Sequence, residues 1–203
     1  MEELFGYAGK ILRVNLKDKI FKIENADRDD ARMYLGGTGL SAKILYTELQ
    51  RGIDPLSSEN KIIFSTGPLT ATAAPGSGSV NLCFKSPLTG IWGEARSGSD
   101  WGSMLRKAGY DILIIEGRSP NPVYLVIEND KIEIHDAFEI VGFTTSQKTS
   151  YLKQKLGKDF EIAAIGPAGE NKVFYSSVMF GEGRVRPDVR EQAHCLAQRI
   201  CCQ

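Results

Sequence analysis

One order of elements is written twice along this chain, and it constrains the fold more than any other feature. Residues 10–16 and 20–23 alternate in polarity around Lys17-Asp18-Lys19, the signature of a β-hairpin. Residues 123–127 and 131–134 do the same around Asn129-Asp130. On the second arms, Asp18-Lys19-Ile20-Phe21-Lys22-Ile23 corresponds to Asp130-Lys131-Ile132-Glu133-Ile134. Behind the first hairpin the pattern predicts helices over 27–35 and 40–49, a strand over 61–65 that runs into Gly67-Pro68, and a strand over 80–84. Behind the second it predicts a helix over 145–156, a strand over 162–165 that runs into Gly166-Pro167, and a strand over 173–180. The expected fold class is α+β, an internal duplication of two similar hairpin-helix-strand halves with mixed β-sheets. Chance agreement between common hairpin and Gly-Pro signals is the competing reading.

The first half also carries a long passage rich in glycine and hydroxyl side chains. It runs from Gly67-Pro68-Leu69-Thr70 through Lys85-Ser86-Pro87-Leu88-Thr89-Gly90 to Gly109-Tyr110-Asp111, broken by one short apolar strand. A short helix over 101–108 and a buried strand over 112–116 close it. So many small residues between buried strands suit main-chain amides that grip a phosphate-bearing ligand.

The 203 residues carry zero formal net charge and are 42% apolar, which fits a soluble domain with a substantial core. Balanced charge removes the electrostatic footprint of a nucleic-acid binder or a polybasic membrane binder. The start has no basic region followed by an apolar run, and no later run approaches a membrane span, so a cytoplasmic location is expected. Of four cysteines, Cys83 lies in a strand and Cys195, Cys201 and Cys202 crowd the last nine residues, so no spaced disulfide framework is visible. Only His135 and His194 are present, neither beside a nucleophile motif, and hydrolase chemistry is unsupported.

If the halves are equivalent, the strand over 173–180 should lead to a glycine loop and helix like Arg96-Ser97-Gly98-Ser99-Asp100-Trp101. Instead the chain reads Arg184-Val185-Arg186-Pro187-Asp188 and changes character. Codons can be chosen for 184–203 so that a start two bases later gives Gly-Thr-Ala-Gly-Arg-Thr-Gly-Thr-Gly. Residues 184–203 are therefore expected to be an aberrant, frameshifted tail behind a domain of residues 1–183.

At this point Gly9-Lys10-Ile11-Leu12-Arg13-Val14-Asn15-Leu16, Tyr34-Leu35-Gly36-Gly37, Gly67-Pro68-Leu69-Thr70, Lys85-Ser86-Pro87-Leu88-Thr89-Gly90, Lys107-Ala108-Gly109-Tyr110-Asp111 and Ile165-Gly166-Pro167-Ala168-Gly169-Glu170-Asn171 form a set. In order and spacing the set resembles the amino-terminal domain of the tungsten-containing aldehyde:ferredoxin oxidoreductases. The resemblance implies a base for a bis-pterin tungsten or molybdenum cofactor whose phosphates are bridged by magnesium. It implies oxidation of a small aldehyde to a carboxylic acid with ferredoxin as electron acceptor. Iron-sulfur cysteines and acid/base residues would belong to later domains, so this truncated chain would not be active alone; a non-catalytic pterin-binding module or a vestigial fragment is the alternative. A homodimer is compatible with the resemblance.

Carried over residue by residue, the cofactor-binding candidates are Ser79, Asn81, Lys85, Arg96, Ser97, Gly98 and Arg184. Ser79 stands where the family usually presents an arginine, and one hydroxyl does not replace a fork of donors. Arg96 stands where the family often has an asparagine whose backbone carbonyl helps hold the magnesium, so Arg96 is the metal candidate through its main chain. Plainer readings stand beside these. Arg96 and Lys85 read equally as surface charges, Trp92 and Trp101 as packing, Cys83 as a core residue and His135 as a solvated edge residue.

Overall fold

The computed structural model describes residues 5–174 and 176–181; Arg184 and the expected tail over 184–203 lie outside them. The first hairpin is β1 (Lys10–Asn15) with β2 (Ile20–Asn25), and α1 (Arg28–Tyr34) and α2 (Thr38–Glu48) follow. Asp27 caps α1, its Oδ1 accepting the Asp30 amide at 2.9 Å. Next come β3 (Ile62–Ser65), β4 (Val80–Lys85), β5 (Trp92–Ser97), α3 (Asp100–Lys107) and β6 (Ile112–Glu116). They build one mixed six-stranded sheet in the order β2-β1-β6-β3-β4-β5. β6 is the last strand of this sheet in sequence yet is one of its two central strands, parallel to β1 and antiparallel to β3.

Alternation along the strands assigns the two faces. On one face Ile63, Cys83, Ile112 and Ile114 pack under Leu40, Ile44 and Leu45 of α2. On the other, Leu12, Val14, Phe64, Leu82, Leu113 and Ile115 share a core with Val123, Ile165, Val178 and Phe180 of the second half. Both faces of β6 are thus covered, which is why Ile112-Leu113-Ile114-Ile115 reads as an unbroken apolar run.

The second half comprises β7 (Val123–Glu128) and β8 (Lys131–Asp136), a 3-10 turn at Phe138–Ile140, α4 (Thr145–Leu156), β9 (Ala163–Ile165), the one-turn α5 (Pro167–Glu170) and β10 (Val178–Phe180). The expected order recurs, but among the described residues the strands form two separate ribbons, β7-β8 and β9-β10. Leu152 of α4 packs with Tyr124, Val126, Ile162 and Ala164 on the side away from the first sheet. The layers are helix, six-stranded sheet, paired ribbons and helix.

Two expectations need correction. The last strand spans only Val178–Phe180 rather than 173–180, because Pro167 at the first helical position starts α5 and the chain then turns at Lys172 with φ 59°. Conversely, β5 lies in what reads as loop. Its inward residues are Gly93, Ala95 and Ser97, so alternation is present without the apolar signal that normally reveals it. Gly93 is required there: a Cβ would lie 2.8 Å from Cε2 of Phe84.

Charged groups hold the layers at three points. Arg13 of β1 reaches Glu48 of α2 at 2.8 Å and Glu116 of β6 at 3.2 Å, and Lys61 meets the same two carboxylates at 2.9 and 2.6 Å. Burial raises the Glu48 carboxyl, but the hydrogen bonds and charges of Arg13 and Lys61 together outweigh this and hold it below the usual range. Buried Asp111 accepts the amides of Ala8 and Gly9 at 3.0 and 2.7 Å and pairs with Arg106. Lys148 of α4, 2% exposed, is neutralised by Glu170 of α5.

Candidate functional site

Where α2 and α3 begin, the sheet presents its β4 and β5 ends. Gly37 is the N-cap of α2, with φ 52° and no side-chain cap, and no acidic residue stands in the first turn of that helix. Only glycine fits: its φ is left-handed, and a Cβ would lie 2.5 Å from Nδ2 of Asn81. Thr38 Oγ1 donates to Glu94 at 2.6 Å and fastens the helix start to β5. Glu94 thus places a carboxylate beside this helix start and the Gly39 amide bonds the Gly36 carbonyl, so the end offers an anion only its remaining first-turn amides.

α3 begins in the same neighbourhood. Its N-cap Ser99 makes no capping bond, and its buried hydroxyl is without a partner among the described residues. Gly102 lets the helix lie against β4, since a Cβ there would meet the Ser79 carbonyl and Val80 Cβ at 3.1 Å. The sequence signal for this end is a serine directly before Asp100-Trp101; the unbonded state of its hydroxyl has no sequence signal.

Several candidates converge. Asn81 of β4 stands opposite Arg96 of β5, and Arg96 Nη2 donates to Ser79 Oγ at 3.0 Å with the guanidinium largely exposed. The Ser86 amide bonds the Ile91 carbonyl, which sets the phase of this pair: Arg96 directs its own N–H and C=O away from β4, at the sheet edge. Ser97 points into the core on the opposite face, opposite Val80, and exposed Gly98 links β5 to the α3 cap. Lys85 stands apart, at the far end of β4, where its ammonium donates to the Ile53 carbonyl at 2.6 Å. Trp101 packs between Phe64 and Phe180, with centroids 5.0 and 5.7 Å away, while Trp92 lies on the outward face of β5 with its ring nitrogen near Glu94.

Side chains capable of acid/base or metal work do not gather here. Burial pushes the Cys83 thiol up to about 12, with a hydrogen bond from Ser41 opposing it, so this cysteine packs as an apolar residue. His135 stacks on Tyr124 with centroids 5.2 Å apart, far along the sequence from these loops. Among the described residues no group of three or more His, Cys, Asp or Glu could hold a metal ion. The arrangement can bind oxygen-rich anions with amides, hydroxyls and one guanidinium, and it offers carbonyl oxygen to a hard cation.

Residues 11–193 match the family model for the aldehyde ferredoxin oxidoreductase N-terminal domain. The chain is 47% identical over 177 residues to the tungsten-containing aldehyde ferredoxin oxidoreductase of Pyrococcus abyssi, a match covering 87% of this chain and 29% of that protein. It is 36% identical over 194 residues to an aliphatic sulfonate oxidoreductase, WOR-like subunit, of Pyrococcus furiosus, covering 87% of this chain and 30% of that one. Among solved structures it is similar to the active site complex BamBC of benzoyl coenzyme A reductase in complex with 1,5-dienoyl-CoA, with TM-score 0.92, 34% identity, and coverage of 97% of this chain and 30% of that one. The chain thus spans about three-tenths of the length of the relatives it matches.

Proposed function

The chain belongs to the aldehyde ferredoxin oxidoreductase family, as its N-terminal domain, and from that premise we propose that it forms the phosphate-gripping base of a tungsten-pterin site. One observation carries the reading: two helix starts without side-chain caps, one with a buried orphan hydroxyl on Ser99, flank an exposed arginine and an open carbonyl on one sheet edge. These donors would hold the phosphates of a pterin cofactor, and the Arg96 carbonyl would be an oxygen ligand for a magnesium ion. They do not supply soft ligands, so tungsten or molybdenum would take its sulfur from the cofactor.

When bound, that group supplies two-electron oxidation of an aldehyde to a carboxylic acid. The residues of this chain orient it. Amides at the α2 and α3 starts and the Ser99 hydroxyl would hold phosphate oxygens, and Arg96 would add a charge-assisted contact. Ser79 orients the Arg96 guanidinium rather than replacing an arginine of its own. Aldehyde rather than another substrate is favoured by 41–47% identity to four relatives bearing the aldehyde name, against 36% to the sulfonate one. Ferredoxin as acceptor, an iron-sulfur cluster in the remaining length and a cytoplasmic setting complete the proposal.

The test is tungsten and pterin content of the chain produced in a host that makes tungstopterin, alongside amide resonances during titration with inorganic pyrophosphate and magnesium. Expected are shifts confined to Thr38, Asp100 and Trp101 and their neighbours, weakened about tenfold by Arg96→Ala. No shift at those amides would reject the cradle whatever the cofactor content.

A further inference from the structure

The corner between α1 and α2 carries a strained backbone. Leu35 has φ 61° and ψ −66°, and the Gly36 amide bonds the Tyr34 carbonyl at 2.8 Å. Together these make the γ-turn of positive φ, which is rare and strained for a residue with a side chain. That side chain is 64% exposed, so burial of the leucine does not call for the conformation. Such backbone persists only where its surroundings fix it from several sides. The corner in turn sets α2: the Gly37 amide bonds the Thr66 carbonyl at 2.8 Å, and Gly39 in the first turn of the helix has no room for a Cβ against the Tyr34 carbonyl.

Residues 5–9 run past this corner. Asp111 accepts the Ala8 and Gly9 amides at 3.0 and 2.7 Å, while Arg106 bonds the Gly6 carbonyl and lies over the Tyr7 ring, its central carbon 6.0 Å from the centroid. Anchored on both sides, Tyr7 is half-buried, and its hydroxyl donates to the Leu35 carbonyl at 2.5 Å with the Ala31 carbonyl at 3.3 Å. The Leu35 carbonyl and the Gly36 amide belong to one peptide plane. That plane is therefore held at both ends, by the Tyr34 carbonyl on its N–H and by the Tyr7 hydroxyl on its oxygen.

We infer that Tyr7 is a positioning residue: its phenol, brought from 28 residues away, locks the Leu35–Gly36 peptide and with it the place and direction in which α2 starts. That this start serves an anion rests on the function proposed above. The hydroxyl is the specific element. Phenylalanine would keep the ring over Arg106 and both bonds to Asp111, but it would leave the Leu35 oxygen to water, which does not fix the plane. Arg106 and Asp111 act one step further back, by holding the segment that carries the ring.

Amide hydrogen exchange on the full chain tests this, with Tyr7→Phe compared against Thr144→Ala, which weakens a helix cap in the other half. Tyr7→Phe is expected to speed exchange at Gly37 and Gly39 about tenfold, while Ala8 and Gly9 stay as slow as in the unsubstituted chain. Thr144→Ala is expected to leave Gly37 and Gly39 unchanged. In titration with inorganic pyrophosphate and magnesium, Tyr7→Phe should lose the shift at Thr38 and keep those at Asp100 and Trp101. Unchanged exchange at Gly37 and Gly39 in Tyr7→Phe would overturn the inference, and so would a Thr38 shift that survives it. Equal acceleration in Thr144→Ala would overturn it as well, since the effect would then be general destabilisation. No shift anywhere in the unsubstituted chain would instead reject the cradle, and the exchange comparison alone would decide the role of Tyr7.

Discussion

The two halves use the same order of elements, yet among the described residues one closes into six strands and the other forms two ribbons. The difference rests on a single strand. In the first half Ile112–Glu116 returns after the helix to lie between strands laid down earlier, and it unites a hairpin with a strand pair some fifty residues later. The second half compensates with a shared apolar interface against the first sheet and with a buried ion pair that ties α4 to α5.

That contrast can be attacked by substitution, beginning with the buried pair. Glu170→Ala strands the Lys148 ammonium at 2% exposure and is expected to destabilise the chain by about 3–5 kcal/mol in urea unfolding. Glu48→Ala, in the partly exposed first-half network, should cost only about 1 kcal/mol. Equal losses would mean the halves are held in the same way. Comparable with the Glu170 loss, Ile114→Ala in the covered strand should cost about 2–5 kcal/mol. Ile127→Ala, in β7 and only partly buried, should cost clearly less than Ile114→Ala; an equal or larger loss would mean that this ribbon carries as much of the core as the covered strand. Thr144→Ala removes the hydroxyl that accepts the Gln147 amide and leaves the reciprocal bond from the residue-144 amide to Gln147, for about 1 kcal/mol measured by thermal unfolding.

The smallest effect is a pH dependence that belongs to the first half. Glu24 is held below the ordinary carboxylate range, first by its hydrogen bond from Lys22 and further by Arg13 against the opposing effect of burial, and Glu48 is held low as described. Depressed carboxyls stabilise above their unfolded pKa and lose that contribution on acidification. Stability should fall as pH drops from about 5 toward 3, by on the order of 1 kcal/mol or less per group. Glu48→Gln should flatten that slope, and an unchanged slope would remove the network from the account.

Hairpins, α4 with its boundaries and the buried run at Ile112 are legible because alternation, a threonine cap and continuous apolarity are local signals. β5 is hidden because Gly93 and Ser97 fill inward positions that usually carry large apolar groups. Position 173 was expected to start a strand because Val173 and Phe174 look extended, but α5 and its turn take up that stretch. At the site, the proximity of Ser79, Asn81 and Arg96 follows from pairing across β4 and β5, whereas the fate of Lys85 depends on the distant Ile53 carbonyl. The partnership of Lys148 with Glu170 and the orphan state of Ser99 arise only from tertiary packing.

Asp111 gives a practical lesson. Its carboxylate fastens the Ala8 and Gly9 amides beside the middle of the sheet, so a purification tag placed ahead of Phe5 would be separated from the core by a firm clasp. Trimming through Gly9 would instead leave an acid in the interior with two of its donors gone. Such a shortened gene product should express mainly as inclusion bodies.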